Sequence, residues 1–576
     1  MGGIVRVTES GLGCPDWPLC YGRLIPPLRP DAIIEYTHRF VASLTSPLIL
    51  ISSVIAWLRY RKVRLIFRPM LGAMGLLVVE VILGAITVLT KTPPVIVAVH
   101  LGIALTILAL VLTAAITAFR LSLGLRSPDH LVYRGFFARL VLWMLAALFI
   151  VLLSGVFVAG SQATRACVGW PLCNGSFFPN TALGWVHMTH RFIVGAASIL
   201  MIFLLVQAWR TQRQRLAVYP AVAITVVFFF AQAYVGALKT THDFPAFLLA
   251  LHVATAAATW AALVILVVLT GMSEPSVSES QSTTSPIKLK QYLRDLLTLT
   301  RPVVVLLLLV TAFAAMVVGK QAWPGFNLAF WTLLGGGMAA GGAQAVNQFV
   351  DRDIDQLMLR TAKRPIPAGR LSPAEGLAWG LSLCIVSVYI LAGFVNWLAA
   401  LMTLVGIIYY VIIYTLLLKR TSVQNIVIGG GAGAMAPVVG LVAVTGRLDL
   451  WALLLFGIVF FWTPPHFWAL ALVRLRDYTA AKIPVMPVVK GIEFTRIQIM
   501  IYTVCLLIIT LLPFVFGVAG IIYLIAAILL NAVLVVVAWL VWRKGTNKLA
   551  WQLYRVSSMY LAFLFFAMMA DKLIIR

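Results

Sequence analysis

Long apolar runs recur along almost the whole chain and are separated by short polar or basic segments. Most runs are about 20 residues long, which is the length that an α-helix needs to cross about 30 Å of hydrocarbon. We place seven spans in the first half at 38–58, 69–90, 96–119, 137–160, 185–209, 218–238 and 246–270, and nine in the second at 302–320, 327–350, 376–395, 398–418, 426–446, 451–472, 497–518, 520–542 and 551–571. The pattern predicts an all-α polytopic membrane protein.

The composition supports this prediction, because 62% of the 576 residues are hydrophobic and only 11% are charged. The net charge of +26 does not indicate a nucleic-acid partner, since the basic residues lie in short loops between spans. The loops 59–68, 210–215 and 419–420 are therefore predicted to be cytoplasmic. We expect a cell (inner or plasma) membrane protein whose loops 1–37, 161–184 and 239–245 and both termini face outward.

One Ser-rich polar stretch divides the chain. It reads SEPSVSESQSTTSPI over 273–287 and predicts a flexible cytoplasmic linker at 271–290. The domains predicted on either side are 1–270, with seven spans, and 291–576, with nine.

The first domain contains an internal duplication, with copies at about 1–119 and 137–270. CPDWPLCYG at 14–22 matches CVGWPLCNG at 167–175, and YTHRF at 36–40 matches MTHRF at 188–192. The second copy opens with a full span that carries Gly155 and Val158, whereas the counterparts Gly2 and Val5 stand at the start of the chain. We therefore expect the equivalent first helix to be absent here, through a misassigned start or a true truncation, which a hydrophobic stretch upstream would distinguish.

Four histidines follow the repeat within predicted spans. His38 and His100 are 62 residues apart, and so are His190 and His252. Two imidazoles at similar depth on neighbouring helices can supply both axial ligands of a haem iron. The sequence therefore predicts bis-histidine haem ligation, because too few other Cys, Asp or Glu residues lie nearby for a closed zinc site.

The two copies differ one turn before the first histidine. Glu35 precedes His38 by three residues, whereas His187 stands at that place in the second copy. This asymmetry indicates that one copy performs chemistry while the other stores electrons; the alternative is that Glu35 is an acid at a helix start. Arg39 and Arg191 follow the histidines and are candidates for pairing with haem propionates.

Residues 1–270 resemble the haem A synthase family through SGLGCPDWPLC, EYTHR, the repeated THRF and the later histidines. The resemblance implies a pseudo-twofold pair of four-helix bundles that oxidises the C8 methyl group of haem O to a formyl group. It also implies that His190 and His252 hold haem B, that His38 and His100 flank the substrate haem, and that Glu35 is catalytic. The family's outer-loop disulfides would be Cys14–Cys20 and Cys167–Cys173, in loops assigned to the oxidising side. Cys384 and Cys505 lie in apolar spans and read as core residues.

The stretch NQFVDRDIDQLMLRTAKRP begins at the inner end of a predicted span in the second domain. Asn347, Asp351 and Asp355 are spaced i, i+4 and i+8, so they share one helical stripe, and Asp353 faces elsewhere. Oxygen ligands in this arrangement can hold Mg²⁺, which binds a substrate diphosphate. Basic residues for phosphates or propionates follow at Arg360, Lys363, Arg364 and Arg370.

Residues 290–576 resemble the UbiA-type intramembrane prenyltransferases, and within them haem O synthase. DRDID supports the superfamily, and LKRTSVQNIVIGGGAGAMAPVVG, WTPPHFWALAL and DYTAAKIPVMPVVKG favour the haem branch. The resemblance implies transfer of farnesyl from farnesyl diphosphate to the vinyl group of haem B. Lys419, Arg420 and His466 are further candidates for substrate binding; a helix-end polar role is the alternative for His466. Asp477 is the only acid in the last loop, which weakens the case for a second Mg²⁺ site.

The two resemblances predict a bifunctional enzyme, because the haem O made by one half is the substrate of the other. The expected cofactors are haem B and Mg²⁺, and the expected partners are haem B, haem O, farnesyl diphosphate, membrane lipid and an unidentified electron donor. The sequence leaves the oligomeric state undecided, with a homo-oligomer as one alternative. The alternative is a b-type electron-transfer cytochrome fused to a prenyltransferase that acts on a quinone-type acceptor.

Overall fold

The computed structural model describes residues 2–125, 128–272, 289–358 and 360–574. The chain forms two compact units, Met1–Thr283 and Thr284–Arg576. The boundary falls within the predicted linker, most of which lies outside the described residues. Every regular element of the described residues is helical, which confirms the predicted all-α class.

The first unit contains seven long α-helices and one short one within the described residues. They are α1 (Gly2–Val7), α2 (Pro30–Tyr60), α3 (Arg64–Leu89), α4 (Pro94–Ser122), α5 (Phe136–Gly160), α6 (Ala182–Thr211), α7 (Val218–Thr241) and α8 (Ala246–Met272). Helices α2–α4 pack in sequence, as do α5–α8, and α5 contacts α4 as α1 contacts α8. Short α1 thus occupies in the first copy the place that α5 occupies in the second.

The described residues of the second unit form nine long helical segments. Its described elements are α9 (Leu289–Leu299), α10 (Pro302–Lys320), α11 (Phe326–Val350), α12 (Arg352–Asp355), α13 (Pro373–Phe394), α14 (Trp397–Ile408), a π-helix (Tyr409–Leu418), α15 (Asn425–Thr445), α16 (Leu450–Val473), α17 (Leu475–Ala480), α18 (Met486–Val489), α19 (Ile492–Val515), α20 (Ile521–Lys544) and α21 (Asn547–Ile574). Neighbouring long helices pack in chain order, and α21 returns against α10.

Fifteen helices among the described residues are long and apolar enough to cross a membrane. All sixteen predicted spans correspond to long helical segments of the described residues, and fifteen of them meet this criterion. Helix α11 has the length, with 25 residues, but is not among the fifteen. Its C-terminal half carries Gln344, Asn347 and Gln348, all buried in the protein. These amides lower the mean hydropathy of a helix that the other helices cover.

Glycines let α11 approach α13 closely and so set the position of the polar stripe at its end. A Cβ atom added to Gly342 would lie 2.7 Å from the carbonyl oxygen of Gly380, and one added to Gly380 would lie 2.9 Å from that of Gly342. Small residues at such a crossing bring two backbones together, as is typical of packed membrane helices. Substitution of either glycine would push α11, and the stripe with it, away from α13.

Candidate functional sites

The polar stripe of the second unit continues past the end of α11. Asp351 is the C-terminal cap of α11, and the short helix α12 begins at the next residue. The backbone N–H of Asp351 nevertheless donates to the carbonyl oxygen of Asn347 at 2.9 Å, and that of Asp355 donates to the carbonyl oxygen of Asp351 at 2.8 Å. Because the i to i+4 hydrogen bonds persist through the break, the three side chains lie on one face. All three are buried, whereas Asp353 on the same turn is exposed.

Cations surround this stripe. Lys419 forms an ion pair with Asp351, and Arg364 Nη1 lies 2.5 Å from Asp355 Oδ2. Arg301 donates to Asn347 Oδ1 at 3.5 Å. With the carboxylates of Asp351 and Asp355 ionised, three positive groups stand beside two negative ones. The excess of positive charge suits a polyanionic ligand such as a diphosphate.

The π-helix positions two of the groups that contact the stripe. Its wider turn shows in the hydrogen bond from the Lys419 backbone to the carbonyl of Tyr414, five residues earlier. Thr415 lies on this segment and accepts a hydrogen bond from Asn347 Nδ2 at 3.1 Å. π-Helical turns are rare and are frequent at functional sites. Neither the π-helix nor Thr415 could be predicted from the apolar run at 398–418.

The arrangement fits a divalent cation. Asp351 Oδ1 is buried and has no hydrogen-bond partner among the described residues. It is therefore an acceptor whose burial is costly unless a ligand satisfies it. No three His, Cys, Asp or Glu side chains of the described residues are grouped as a metal site. A cation held by Asn347, Asp351 and Asp355 would thus need oxygens from water or substrate, as Mg²⁺ usually does.

The remaining predicted residues of the second unit make no direct hydrogen bond to the stripe within the described residues. Arg420 pairs with exposed Asp353, at 2.6 Å, and its hydrogen bonds lower the pKa of Asp353 to about 2. Arg360 and Lys363 are exposed, and Asp477 is half-buried. None of these four predicted residues has a hydrogen bond to the stripe within the described part of the chain.

His466 lies on α16 in a stack of aromatic rings. Its ring packs between Trp462 and Tyr554, with centroids 4.3 Å and 4.6 Å away. His466 Nδ1 lies 2.8 Å from the hydroxyl of Ser557 on α21. The stack gives His466 a packing role that joins α16 to α21.

In the first unit, each of the four predicted haem-ligating histidines packs against a glycine of a neighbouring helix. A Cβ atom added to Gly2, Gly84, Gly155 or Gly236 would lie 3.4, 3.5, 3.2 or 3.1 Å from Cε1 of His38, His100, His190 or His252, respectively. Glycine lets each imidazole lie directly on the backbone of its neighbour. The same contact occurs four times, so the repeat extends to the environment of each ring.

The two histidines of the second copy have different surroundings. Ser154 lies 2.8 Å from His190 Nδ1. His252 Nδ1 is buried and has no hydrogen-bond partner among the described residues. His190 also lines an apolar groove of about 530 Å³ with side chains of α4–α6, to which His252 does not contribute.

Glu35 is buried and bound to Arg39. Glu35 Oε1 accepts a hydrogen bond from Arg39 Nε at 3.0 Å. In the second copy, His187 replaces Glu35, and its Nδ1 lies 3.1 Å from the carbonyl oxygen of Ala163. The two copies thus differ at this position. The first has a buried acid–arginine pair, and the second has a contact between an imidazole and a backbone carbonyl.

The two arginines bind the disulfide-containing loops, and their pairing with haem propionates stays a prediction. Arg39 donates to the carbonyl oxygens of Cys14, Asp16 and Leu19 at 2.8–2.9 Å. Arg191 donates in the same way to the carbonyls of Cys167, Pro171 and Leu172. The guanidinium groups are occupied because each loop must satisfy inward-facing backbone oxygens. Disulfides join Cys14 to Cys20 and Cys167 to Cys173 in these loops.

Family models match both halves of the chain. The UbiA prenyltransferase family matches residues 308–566, and the Cytochrome oxidase assembly protein family matches 1–33 and 29–184. A protoheme IX farnesyltransferase of Roseiflexus sp. (strain RS-1) is 40% identical over 74% of this chain and 82% of its own length. Proteins of the same name from Chloroflexus aurantiacus and Thermus thermophilus are each 35% identical, over 100% and 99% of this chain and 96% and 95% of their own lengths.

The chain belongs to the protoheme IX farnesyltransferase family. It is a fusion, since a cytochrome oxidase assembly half precedes the UbiA half. Two solved structures resemble the second half. They are a UbiA homolog from Archaeoglobus fulgidus bound to GPP and Mg²⁺ (18% identical, 48% of this chain and 99% of that chain, TM-score 0.37) and digeranylgeranylglyceryl phosphate synthase (14%, 50% and 100%, TM-score 0.43).

Proposed function

We propose that the chain makes haem A from haem B in two steps, one in each half. The second half transfers farnesyl to haem B and yields haem O, and the first half oxidises the C8 methyl group of haem O to a formyl group. The observation that carries the proposal is that one chain holds a cation-lined acidic stripe and a duplicated four-histidine bundle. The product of the first chemistry is a substrate of the second.

In the second half, the stripe binds farnesyl diphosphate. When bound, Mg²⁺ supplies positive charge that neutralises the diphosphate; Asn347, Asp351 and Asp355 would hold it. Lys419, Arg364 and Arg301 stand where they contact diphosphate oxygens and stabilise the charge that develops on the leaving group. The bond between the farnesyl C1 and the diphosphate oxygen breaks, and diphosphate leaves. A carbon–carbon bond forms at the outer carbon of the haem B vinyl group, and the positive charge left on the inner carbon is discharged by addition of water, which loses a proton and becomes a hydroxyl group.

In the first half, the two histidine pairs have different tasks. His190 and His252 hold haem B, which when bound supplies one-electron transfer. His38 and His100 would flank haem O. With water as the source of the formyl oxygen, oxidation of the methyl group releases four electrons and four protons, so it requires an external electron acceptor. Glu35 is within one helical turn of His38 and can hold a proton or oppose positive charge as the methyl group is oxidised.

The charges on the loops orient the proposal in the membrane. The stripe lies at the end of α11 near Lys419 and Arg420, in a loop assigned to the cytoplasm by the positive-inside rule. The Cys14 and Cys167 loops then face outward, where disulfides persist. Farnesyl diphosphate would reach the stripe from the cytoplasm, and haem O would pass to the first half within the membrane.

The direct test is to express the chain in cells that lack their own haem O and haem A synthases and to separate the extracted haems by chromatography. Haem A is the expected product. Haem O without haem A would remove the oxidation, and haem B alone with a prenylated quinone would support the cytochrome–prenyltransferase alternative.

Removing either ligand of the second bundle should strip haem B from the purified protein. His190→Ala and His252→Ala each delete an axial ligand, so the low-spin b-type spectrum should fall to a small fraction of that of the unmodified chain. His38→Ala is the matched variant in the other copy and should largely spare the spectrum. A full b-type spectrum in His190→Ala would mean that the roles of the two bundles have been exchanged.

The glycine beneath His252 offers a subtler test. An added methyl group at Gly236 would lie 3.1 Å from His252 Cε1, which is tighter than nine in ten such contacts, so the ring must move by a few tenths of an ångström. Gly236→Ala should therefore weaken haem B binding, measured by haem content per protein. Gly195→Ala is the control, because no atom lies within 4 Å of its added methyl group. Equal haem content in both variants would contradict the proposed ring position.

A further inference from the structure

The copies of the repeat differ at a second pair of polar residues, which contact the later histidines. Glu80 on α3 and Gln232 on α7 are 152 residues apart, as are His100 and His252. Glu80 Oε1 lies 3.2 Å from His100 Nδ1, and Gln232 Nε2 lies 3.3 Å from His252 Nε2. The first copy thus carries a carboxylate where the second carries a neutral amide.

Glu80 has few other partners. Its side chain is 16% exposed, and Oε2 is buried without a hydrogen-bond partner among the described residues. His100 is its one ion-pair partner within that part of the chain. Glu35 differs, because Arg39 balances its charge. A buried carboxylate without a cation is costly unless it serves a ligand or a function.

Two residues of α3, Glu80 and Gly84, lie against the ring of His100. Gly84 follows Glu80 by four residues on α3, so the two lie on one helical face. The backbone at Gly84 lies beneath the ring of His100, with Cε1 3.5 Å from an added Cβ atom. Glu80 Oε1 lies 3.2 Å from His100 Nδ1, and Nδ1 has no hydrogen-bond partner among the described residues, so the carboxylate is the acidic group nearest to an unsatisfied ring nitrogen there.

We propose that Glu80 is a positioning residue that holds His100 through Nδ1 and presents Nε2 to the iron of the substrate haem. The proposal rests on the function proposed above, in which His38 and His100 flank haem O. A carboxylate that accepts a hydrogen bond from a ligating imidazole sets its tautomer and orientation and makes its other nitrogen a stronger donor. Gln232 is uncharged and meets the other ring nitrogen, so it cannot act in this way on His252.

The consequence is an electronic difference between the two haem sites. A stronger nitrogen donor stabilises the ferric state, so the haem in the first bundle should have the lower reduction potential. Electrons would then be drawn from that haem toward the site held by His190 and His252. The asymmetry at Glu80 and Gln232 therefore deepens the division into an oxidising and an electron-storing copy.

The test uses the full-length purified chain and haem O as the added probe, followed by absorbance and by potentiometric titration. Glu80→Gln copies the second bundle and should weaken haem O binding by about 10- to 100-fold and raise the potential of the haem that remains bound. Glu80→Asp should restore part of the loss. Gln232→Glu should lower the potential of the resident haem B.

The controls separate this proposal from the one on which it rests. If His100→Ala abolishes haem O binding and Glu80→Gln leaves affinity and potential unchanged, the role of Glu80 is refuted while the proposed function stands. Should His100→Ala have no effect either, the assignment of the substrate haem to this bundle fails, and the role of Glu80 fails with it. Loss of resident haem B in Glu80→Gln would identify a merely structural residue and also overturn the proposal.

Discussion

Cells that depend on this chain and carry Asp351→Asn should contain haem B but neither haem O nor haem A. Asp351 is fully buried, with one carboxylate oxygen paired to Lys419 and the other without a partner among the described residues. Asparagine keeps the shape of the side chain and removes the charge that Mg²⁺ binding requires. We expect haem O formation from haem B and farnesyl diphosphate in isolated membranes to fall by roughly 10²–10³-fold, the usual effect of losing one charge-stabilising group.

Asp353→Asn is the matched control on the same turn. Asp353 is 60% exposed in its side chain and pairs with Arg420 away from the stripe, so its loss should leave haem O formation within about twofold, because exposed ion pairs contribute little. The amount of each variant in the membrane must be measured, since the change at Asp351 would leave Lys419 without its charged partner. Normal haem O in Asp351→Asn would rule out the Mg²⁺–diphosphate assignment.

The second large effect is expected from Glu35→Gln. Farnesylation takes place in the other half and should continue, so haem O or a hydroxylated intermediate should accumulate while haem A disappears. The substitution keeps size and an acceptor for Arg39 but removes the carboxylate charge. General acid–base and electrostatic groups each contribute about 10²–10⁴-fold, so on the same principles haem A should fall below about 1% of its normal amount. Chromatography of extracted haems measures both outcomes.

The structure adds a control that the sequence did not suggest. Because Arg39 joins Glu35 to the Cys14–Cys20 loop, loss of haem A could come from a displaced loop. Glu35→Gln retains an acceptor for Arg39, whereas Glu35→Ala removes it. Retention of the disulfide and of resident haem B in the Gln variant isolates the chemical role. Undiminished haem A in Glu35→Gln would return Glu35 to loop anchoring alone.

The sequence predicted most of the fold because hydrophobic length and spacing carry that information. Seven and nine long helical segments occur in the two units of the described chain, and the ends of the first predicted span moved from 38–58 to Pro30–Tyr60. Apolar length locates a span but not its ends, because polar residues such as Glu35 continue a helix where protein rather than lipid surrounds them. The same reasoning explains α11, because its buried amides lower the mean hydropathy of the span.

The contacts of the cations could not be predicted in this way. Lys419 and Arg420 are neighbours in sequence, yet Lys419 reaches buried Asp351 and Arg420 reaches exposed Asp353. Arg301 lies 46 residues before Asn347 and still bonds to it. Glu80 is the clearest omission, since an acid inside an apolar run is a functional signal by itself, and the 152-residue offset to Gln232 would have marked it.

What the sequence determined by itself was the periodic information: the spans, the two halves, the duplicated histidines and the i, i+4, i+8 stripe. The spans and the stripe follow from the geometry of a single helix, and the two halves and the duplicated histidines follow from spacing in the sequence. None of these features depends on which helices pack against one another. Only the tertiary structure decided which groups meet. It placed the glycines under the four imidazoles and the arginines in the disulfide-containing loops. It also placed Thr415 of the π-helix against Asn347, and Glu80 beside His100. Such contacts depend on the rotation and depth of two packed helices. Glycine crossings at short distance and buried polar pairs determine that rotation and depth.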